Sequence, residues 1–559
     1  MTKDRLIYLP LGGAGEIGMN AYVYGYGPEG NERLIVVDLG VTFPDMDTTP
    51  GIDLIMADTA WLQDNADRIE AIFITHGHED HVGALGLLWP KLKAPVYARK
   101  FTAALATLKF EERGLPLDEI KVVKPRPDTI EAGPFDVQFV PVSHSIPESS
   151  ALVIDTPAGR IVHTGDFKLD GTPIVGEPFN PDEWHAIANE GSGVKVLTCD
   201  STNVFSPKPG RSEASLARPL AELIAEQRGM VVATTFASNV ARLKTLAEAG
   251  TAAGRSVCML GRAMKKMITA AVETGVLTDF PAIIPPEEAE ALPRQNLMLI
   301  VTGSQGERRA ASAQLSRGKY LGLEMKEGDT FLFSSKTIPG NERGVIRVMN
   351  AFSEMGVDVI DDRDGLYHVS GHANRPDLEA IHDLLRPSVL LPMHGEHMHL
   401  REHCRIGIEK GIASELATNG TMVDLTGERP RIVEYIEAGR TYLDGSVMIG
   451  AMDGVVRDRI RMALNGHVLA TLILDEEDQP LGDAWVELKG LAERGKRGAA
   501  LAEQIEAELN EYLGMAGAKV LRNDDKVEEA VKRIVRQVTM EEIGKKPEVT
   551  VVTSRLVAD

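Results

Sequence analysis

A chain of 559 residues is too long for one hydrophobic core, so roughly two to four domains are expected. With 43% hydrophobic and 25% charged residues it has the balance of an ordinary globular protein, and no apolar stretch reaches bilayer-spanning length. The net charge of −22 argues against a general nucleic-acid binder, because phosphate contacts need cations.

The N-terminus, Met1-Thr2-Lys3-Asp4-Arg5, lacks the apolar core of a secretory signal and leads into a strand-like Leu6-Ile7-Tyr8-Leu9. Next, Gly13-Ala14-Gly15-Glu16-Ile17-Gly18 matches the dinucleotide fingerprint, which must open a helix. The next residues, Met19-Asn20-Ala21-Tyr22-Val23-Tyr24, are aromatic and β-branched in character, so a tight glycine turn between two strands is expected instead. Leu34–Asp38, Phe135–Val140 and Ala151–Ile154 read as further strands, with a helix around Thr102–Glu111.

The densest chemistry comes after the apolar run Ala71-Ile72-Phe73-Ile74. There, Thr75-His76-Gly77-His78-Glu79-Asp80-His81 spends three of the chain's 14 histidines and an aspartate in one loop. Imidazole and carboxylate suit zinc and similar divalent ions. Such a loop can aim His76 and His78 at one ion and Asp80 and His81 at a second. A polar surface loop would rarely concentrate these residues so tightly. Further donors close apolar runs elsewhere: His144 after Val140-Pro141-Val142-Ser143, Asp166 after Ile161-Val162-His163-Thr164-Gly165, and His394 after Leu390-Leu391-Pro392-Met393. Each alone is commonly structural, but all share the context of a strand delivering a polar tip. Asp38 fits the pattern as a carboxylate that orients a ligand histidine.

A second block begins near Ser206-Pro207-Lys208-Pro209-Gly210, with Met230–Thr235, Ser256–Leu260, Leu297–Thr302 and Thr330–Ser334 as expected parallel strands. It carries local basic clusters at Arg262, Lys265 and Lys266, at Arg308-Arg309, and at Lys336 and Arg343, so an acidic chain can still present a basic face. Ligand-rich character returns around Tyr367–Met398, which suggests that this block is inserted into the first domain. From about Arg440 a small α/β module is expected. Its strands are Val468–Leu474, Ala484–Leu488 and Glu548–Thr553, and its amphipathic helices are Ala499–Leu513 and Asp524–Val538. The cysteines, Cys199, Cys258 and Cys404, form no Cys-x-x-Cys pair and fit a reducing cytoplasm.

His-x-His-x-Asp-His, a distant His, Thr-Gly-Asp and a late His together resemble the metallo-β-lactamase superfamily. Asp200 in Asp200-Ser201-Thr202-Asn203, His368 in His368-Val369-Ser370-Gly371-His372-Ala373-Asn374, and His394 resemble the marker positions of its β-CASP nuclease group. Within that group the chain resembles the bacterial ribonuclease J family. Leu11–Gly18, Phe236-Ala237-Ser238-Asn239, Thr302-Gly303-Ser304-Gln305-Gly306 and the C-terminal module agree with it.

The resemblance implies an αββα metallo-β-lactamase sandwich at 1–206 and 366–440, an inserted β-CASP α/β domain at 207–365, and a small C-terminal α/β domain at 441–559 that supports oligomerisation. It implies two divalent ions, zinc first, with manganese or magnesium as alternatives. His76, His78, His144 and Asp166 would hold one, and Asp80, His81, Asp166 and His394 the other. Asp80 would orient or deprotonate the attacking water, and His368 would donate to the phosphate or leaving oxygen. Asp200 would support His368 or a metal ligand, unless it caps a helix opened by Ser201-Thr202-Asn203. Phe236, Ala237, Ser238, His368, Val369, Ser370, Gly371 and His372 would bind RNA and a 5′-phosphate.

The implied activity is 5′-to-3′ degradation of single-stranded RNA with a preference for 5′-monophosphate ends, plus internal cutting, in RNA processing and mRNA decay. Implied partners are single-stranded RNA, a homodimer or homotetramer, and RNA-decay proteins such as a helicase or second nuclease, with no membrane. Alternatives are a DNA-directed β-CASP nuclease, a lactonase or thioesterase on the same catalytic fold, and a catalytically idle complex subunit. The inserted block argues against the lactonase or thioesterase, and the intact ligand set against the idle subunit.

Overall fold

The computed structural model describes residues 4–338, 340–363 and 365–556; Met1–Lys3 of the N-terminal segment lie outside them. The chain divides into two compact units, residues 1–42 with 56–440, and residues 43–55 with 441–559.

In the larger unit the alternating apolar strands build two facing sheets. One has eight strands in the order Arg431–Tyr435, Thr421–Asp424, Asp4–Gly12, Ala21–Pro28, Arg33–Val37, Ile69–Phe73, Val96–Arg99, Ile120–Val123. The other has seven: Ile130–Ala132, Phe135–Pro141, Ser150–Thr156, Gly159–His163, Val194–Asp200, Val389–Met393, Ala413–Ser414. Tyr8, Ile35 and Phe73 from the first meet Phe139, Ile154 and Leu391 from the second in one buried cluster. The outer face of the seven-stranded sheet is covered by the helices Pro181–Asn189, Arg375–Leu385 and His397–Glu409, which contribute Trp184, Ile381 and Ile406 to a second cluster.

The glycine run near the N-terminus is a turn between strands, as expected. Gly13 adopts φ +81°, and a Cβ there would fall 2.0 Å from Asn20 Oδ1 and 2.3 Å from Tyr22 Oη. Only glycine therefore lets the backbone pass these two side chains.

The inserted block forms a six-stranded sheet in the order Ile283–Ile284, Ser256–Leu260, Leu297–Val301, Val231–Thr234, Thr330–Phe333, Asp358–Ile360, with every pairing parallel. Its four central strands are buried on both faces, as continuous apolar runs require. The insertion leaves and re-enters at one place. Val194–Asp200 and Val389–Met393 are hydrogen-bonded parallel neighbours, with Asp200 opposite Met393. Asp200 and His394 thus emerge side by side although the whole insert separates them in sequence.

The second unit pairs His467–Leu474 in parallel with Glu548–Arg555 and antiparallel with Trp485–Lys489. Strict alternation buries Val468, Ala470, Leu472 and Leu474 under the helices Leu501–Met515 and Asp524–Ile543. The opposite face exposes Ile473, Trp485 and Val552. Among the described residues no helix is long and apolar enough to cross a membrane.

Candidate metal centre

Strand ends deliver every donor. Ile69–Phe73 runs into the Thr75–His81 loop, which closes in the one-turn helix Glu79–Val82. His144 comes after Phe135–Pro141, Asp166 after Gly159–His163 and His394 after Val389–Met393. Asp38 and His394 turn out of their strands with φ of +64° and +50°, a left-handed conformation that non-glycine residues seldom adopt.

The donors converge as two overlapping sets. His76, His78, His144 and Asp166 bring one ligand atom each within 4.8 Å of one another, and so do Asp80, His81, Asp166 and His394. Asp166 Oδ2 is the hub. It lies 3.7 Å from His76 Nε2, 3.7 Å from His144 Nε2, 3.2 Å from His81 Nε2 and 3.4 Å from His394 Nε2. Asp166 Oδ1 is buried with no hydrogen-bond partner among the described residues. A buried carboxylate oxygen with no partner is costly unless a cation takes it.

The remaining ring nitrogens fix the tautomers. His144 Nδ1 donates to Gly371 O at 2.7 Å, and His81 Nδ1 donates to Asp38 Oδ2 at 2.7 Å. Asp38 also accepts from Thr75 N and Thr75 Oγ1, both at 2.8 Å, while His76 Nδ1 lies 3.0 Å from that hydroxyl. His78 turns Nε2 to Ser238 Oγ at 3.0 Å and leaves Nδ1 facing His76 Nε2 and His144 Nε2, each 3.1 Å away. Three imidazole lone pairs thus point at one another, an arrangement that a divalent ion resolves.

Burial drives His76 and His144 well below their ordinary pKa and His78 down to about 4, so all three are neutral ligands. For His81 burial acts in the same direction, but the carboxylates of Asp166, Asp80 and Asp38 outweigh it and raise the pKa. The donor set therefore fits divalent cations, and Asp166 is common to both groups of donors.

The other expected site residues divide. His368 is not brought to this cluster. Its Nδ1 lies 3.4 Å from Arg242 Nη1, and its neighbourhood is cationic: burial first, then Arg242, Lys336, Lys168 and Arg211, hold its pKa well below the usual value. His372, not His368, stands beside the cluster: its ring centroid lies 5.0 Å from that of His144 and 5.4 Å from that of His394. Asp200 likewise supports His372, not His368. Its Oδ2 accepts from His372 Nδ1 at 2.8 Å, while its Oδ1 accepts from Thr202 Oγ1 at 2.7 Å, and that hydroxyl lies 2.8 Å from His394 Nδ1. No helix begins at Ser201-Thr202-Asn203, so Asp200 caps none. For His372, burial opposes the charged form, but Asp200, Asp166 and Asp80 raise its pKa to about 9.

Among the expected phosphate ligands, Val369 is only 6% exposed, with its side chain in an apolar cluster, which leaves only its main chain for contact. Ser370 Oγ accepts from Asn203 Nδ2 at 2.8 Å and from His372 N at 3.2 Å. Gly371 passes so close to the centre that a Cβ would sit 2.8 Å from Ser145 Oγ and 2.9 Å from His144 Nδ1. Phe236 and Ala237 line a cavity of about 310 Å³ with Arg262, Thr302, Ser304 and Glu307.

Sequence reasoning missed Asn20, whose Nδ2 lies 3.0 Å from His81 Nε2 and donates to Asp80 O at 2.9 Å. It also missed Thr75, Thr202 and Arg242. Asn20, Thr75 and Thr202 are signalled only by their adjacency to the motifs, and nothing local signals Arg242.

Comparison with known proteins agrees with this architecture. Family models match in four stretches: "Metallo-beta-lactamase superfamily" at residues 15–204, "Ribonuclease J, beta-CASP domain" at 228–352, "Zn-dependent metallo-hydrolase RNA specificity domain" at 357–414, and "Ribonuclease J C-terminal domain" at 454–556. A ribonuclease J of Sinorhizobium meliloti is 40% identical over 100% of this chain and 98% of its own length. One from Mycolicibacterium smegmatis is 35% identical, covering 94% of this chain and 93% of its own. One from Helicobacter pylori is 31% identical, covering 98% and 79%. Among solved structures, a protein of unknown function from Enterococcus faecalis V583 matches 75% of this chain and 100% of its own, with a TM-score of 0.50 and 19% identity, a likeness of fold.

Proposed function

The chain belongs to the ribonuclease J family, and on that premise we propose that this metal-dependent RNA nuclease degrades single-stranded RNA 5′ to 3′, prefers 5′-monophosphate ends and also cuts internally. One observation carries the reading. A single segment, His368–His372, ends at one side in the Asp/His cluster and at the other among cations.

Two divalent ions, zinc first with manganese or magnesium as alternatives, would supply polarisation of the phosphoryl oxygens and activation of water. His76, His78, His144 and Asp166 would hold one, and Asp80, His81, Asp166 and His394 the other. Asp80, 3.2 Å from His394 Nε2, orients the attacking water and takes its proton. His372, fixed by Asp200, gives a proton to the leaving oxygen. His368 stays neutral and offers an N–H to the terminal phosphate, with the surrounding cations balancing the charge, and Ser370, the Gly371 main chain and Ser238 would add contacts to the RNA. Phe236 and Ala237 line the adjoining cavity, where a base of the bound strand would lie.

Residues 441–559 support assembly into a homodimer or homotetramer through the exposed sheet face. The protein acts in the cytoplasm in RNA processing and mRNA decay, alongside a helicase or a second nuclease.

Hydrolysis of RNA, DNA of the same sequence and a lactone, before and after chelation, tests the activity. RNA should be cut, chelation should stop it and added metal should restore it. Preferential cutting of DNA would transfer the reading to a DNA nuclease, and no cutting with metal loaded would end it.

A further inference from the structure

Three donors that the dinuclear centre does not use meet behind it. Cys199, His382 and His403 are buried and bring one ligand atom each within 4.8 Å of one another. They come from three elements: the strand Val194–Asp200 and the helices Arg375–Leu385 and His397–Glu409. Strand alternation turns Asp200 toward the metal centre and Cys199 to the opposite face, into the layer formed by Leu378, Ile381, Leu385, Leu390 and Ile406.

His382 Nε2 faces His403 Nε2 at 3.0 Å, the spacing found between ligand nitrogens at the dinuclear centre, where it is 3.1 Å. The two rings stack at 5.1 Å and 13°. His403 Nδ1 lies 2.9 Å from Ser201 Oγ, which itself donates to Cys199 O, so His403 donates from Nδ1 and turns a bare Nε2 lone pair into the cluster. His382 is 1% exposed and its Nδ1 has no partner among the described residues. Neither ring is held by a carboxylate, and two imidazoles with a thiol form a soft, nearly neutral donor set.

We propose that Cys199, His382 and His403 form a further metal site, separate from the dinuclear centre, that takes a thiophilic cation such as zinc. Loading replaces the Cys199 S–H bond with a sulfur–metal bond and releases that proton to solvent, and no electron changes hands. The site joins three roots. Arg375–Leu385 begins two residues after Ala373, at the end of the His372 segment, and His397–Glu409 begins just after His394-Gly395-Glu396. An ion there ties the segments carrying His372 and His394 to the strand carrying Asp200.

Cobalt(II) loading of the full-length protein tests this. The dinuclear centre has only nitrogen and oxygen donors, so a thiolate-to-cobalt charge-transfer band in the near ultraviolet can come only from cysteine. The wild type should show the band. Cys199→Ser should lose it while keeping the visible cobalt bands of the dinuclear centre, and His382→Gln should weaken it. Should Cys199→Ser fail to fold, zinc-edge X-ray absorption of the wild type needs no variant: a sulfur shell at about 2.3 Å is expected. A band that survives Cys199→Ser, or zinc-loaded wild type with no sulfur shell, would overturn the site and leave a plain buried His–His hydrogen bond.

Discussion

The Thr75–His81 loop and the His368–His372 segment look alike in sequence, each a short run of histidines among small residues, but they behave differently. In the first, all four expected donors reach one cluster, because a strand end and a single turn of helix fix where each points. In the second, two histidines four residues apart part company: His372 joins the cluster and His368 lies beside Arg242. Spacing decides direction only where regular structure imposes it. In a loop, direction is set by partners that arrive from elsewhere, here Asp200 and Arg242.

This contrast can be broken by substitution. Asp166→Ala removes the hub of the first region and should lower RNA hydrolysis by at least about 10³-fold, the scale on which a catalytic unit is dismantled. Loss of bound metal, measured on the dialysed protein, should accompany it. Asp200→Asn removes the negative charge that faces His372 and favours its protonated form, and should lower the rate by about 10²-fold with metal content intact. An equal loss of metal would show that Asp200 acts chiefly through Thr202 and His394. Gly371→Ala pushes a methyl group against His144 and should weaken metal retention by about tenfold, read as a shift in chelator concentration. Trp485→Glu, on the exposed sheet face of the second unit, should leave the catalytic rate on short RNA unchanged but lower the mass seen in light scattering. An unchanged mass would exclude that face from assembly.

Much of the architecture is legible in the chain. The apolar runs at Val231–Thr234, Ser256–Leu260, Leu297–Val301 and Thr330–Phe333 are parallel strands, as their alternation with helical stretches predicts. The strand-like residues after Gly13–Gly18 are enough to exclude a dinucleotide site there. Less legible is whatever depends on a face or a distant partner. Val369 carries no periodic signal that marks it as core. Asp200 looks like a cap until the sheet places Met393 beside it. Arg242 lies on the helix Val240–Ala252, buried against Glu213, and nothing near it in sequence points to His368. Segment 43–55 has no composition that would assign it to the second unit.

The division of labour between the two histidines is tested most directly by single-turnover cleavage of one 3′-labelled single-stranded RNA carrying a 5′-monophosphate or a 5′-triphosphate, with His368→Ala and His372→Ala run beside the wild type. His372→Ala should slow both RNAs alike, by about 10²- to 10⁴-fold. His368→Ala should slow only the monophosphorylated RNA, by about tenfold or more, the worth of one hydrogen bond to a charged group. The reverse pattern, with His368→Ala abolishing all cleavage and His372→Ala erasing only the end preference, would contradict the assignment.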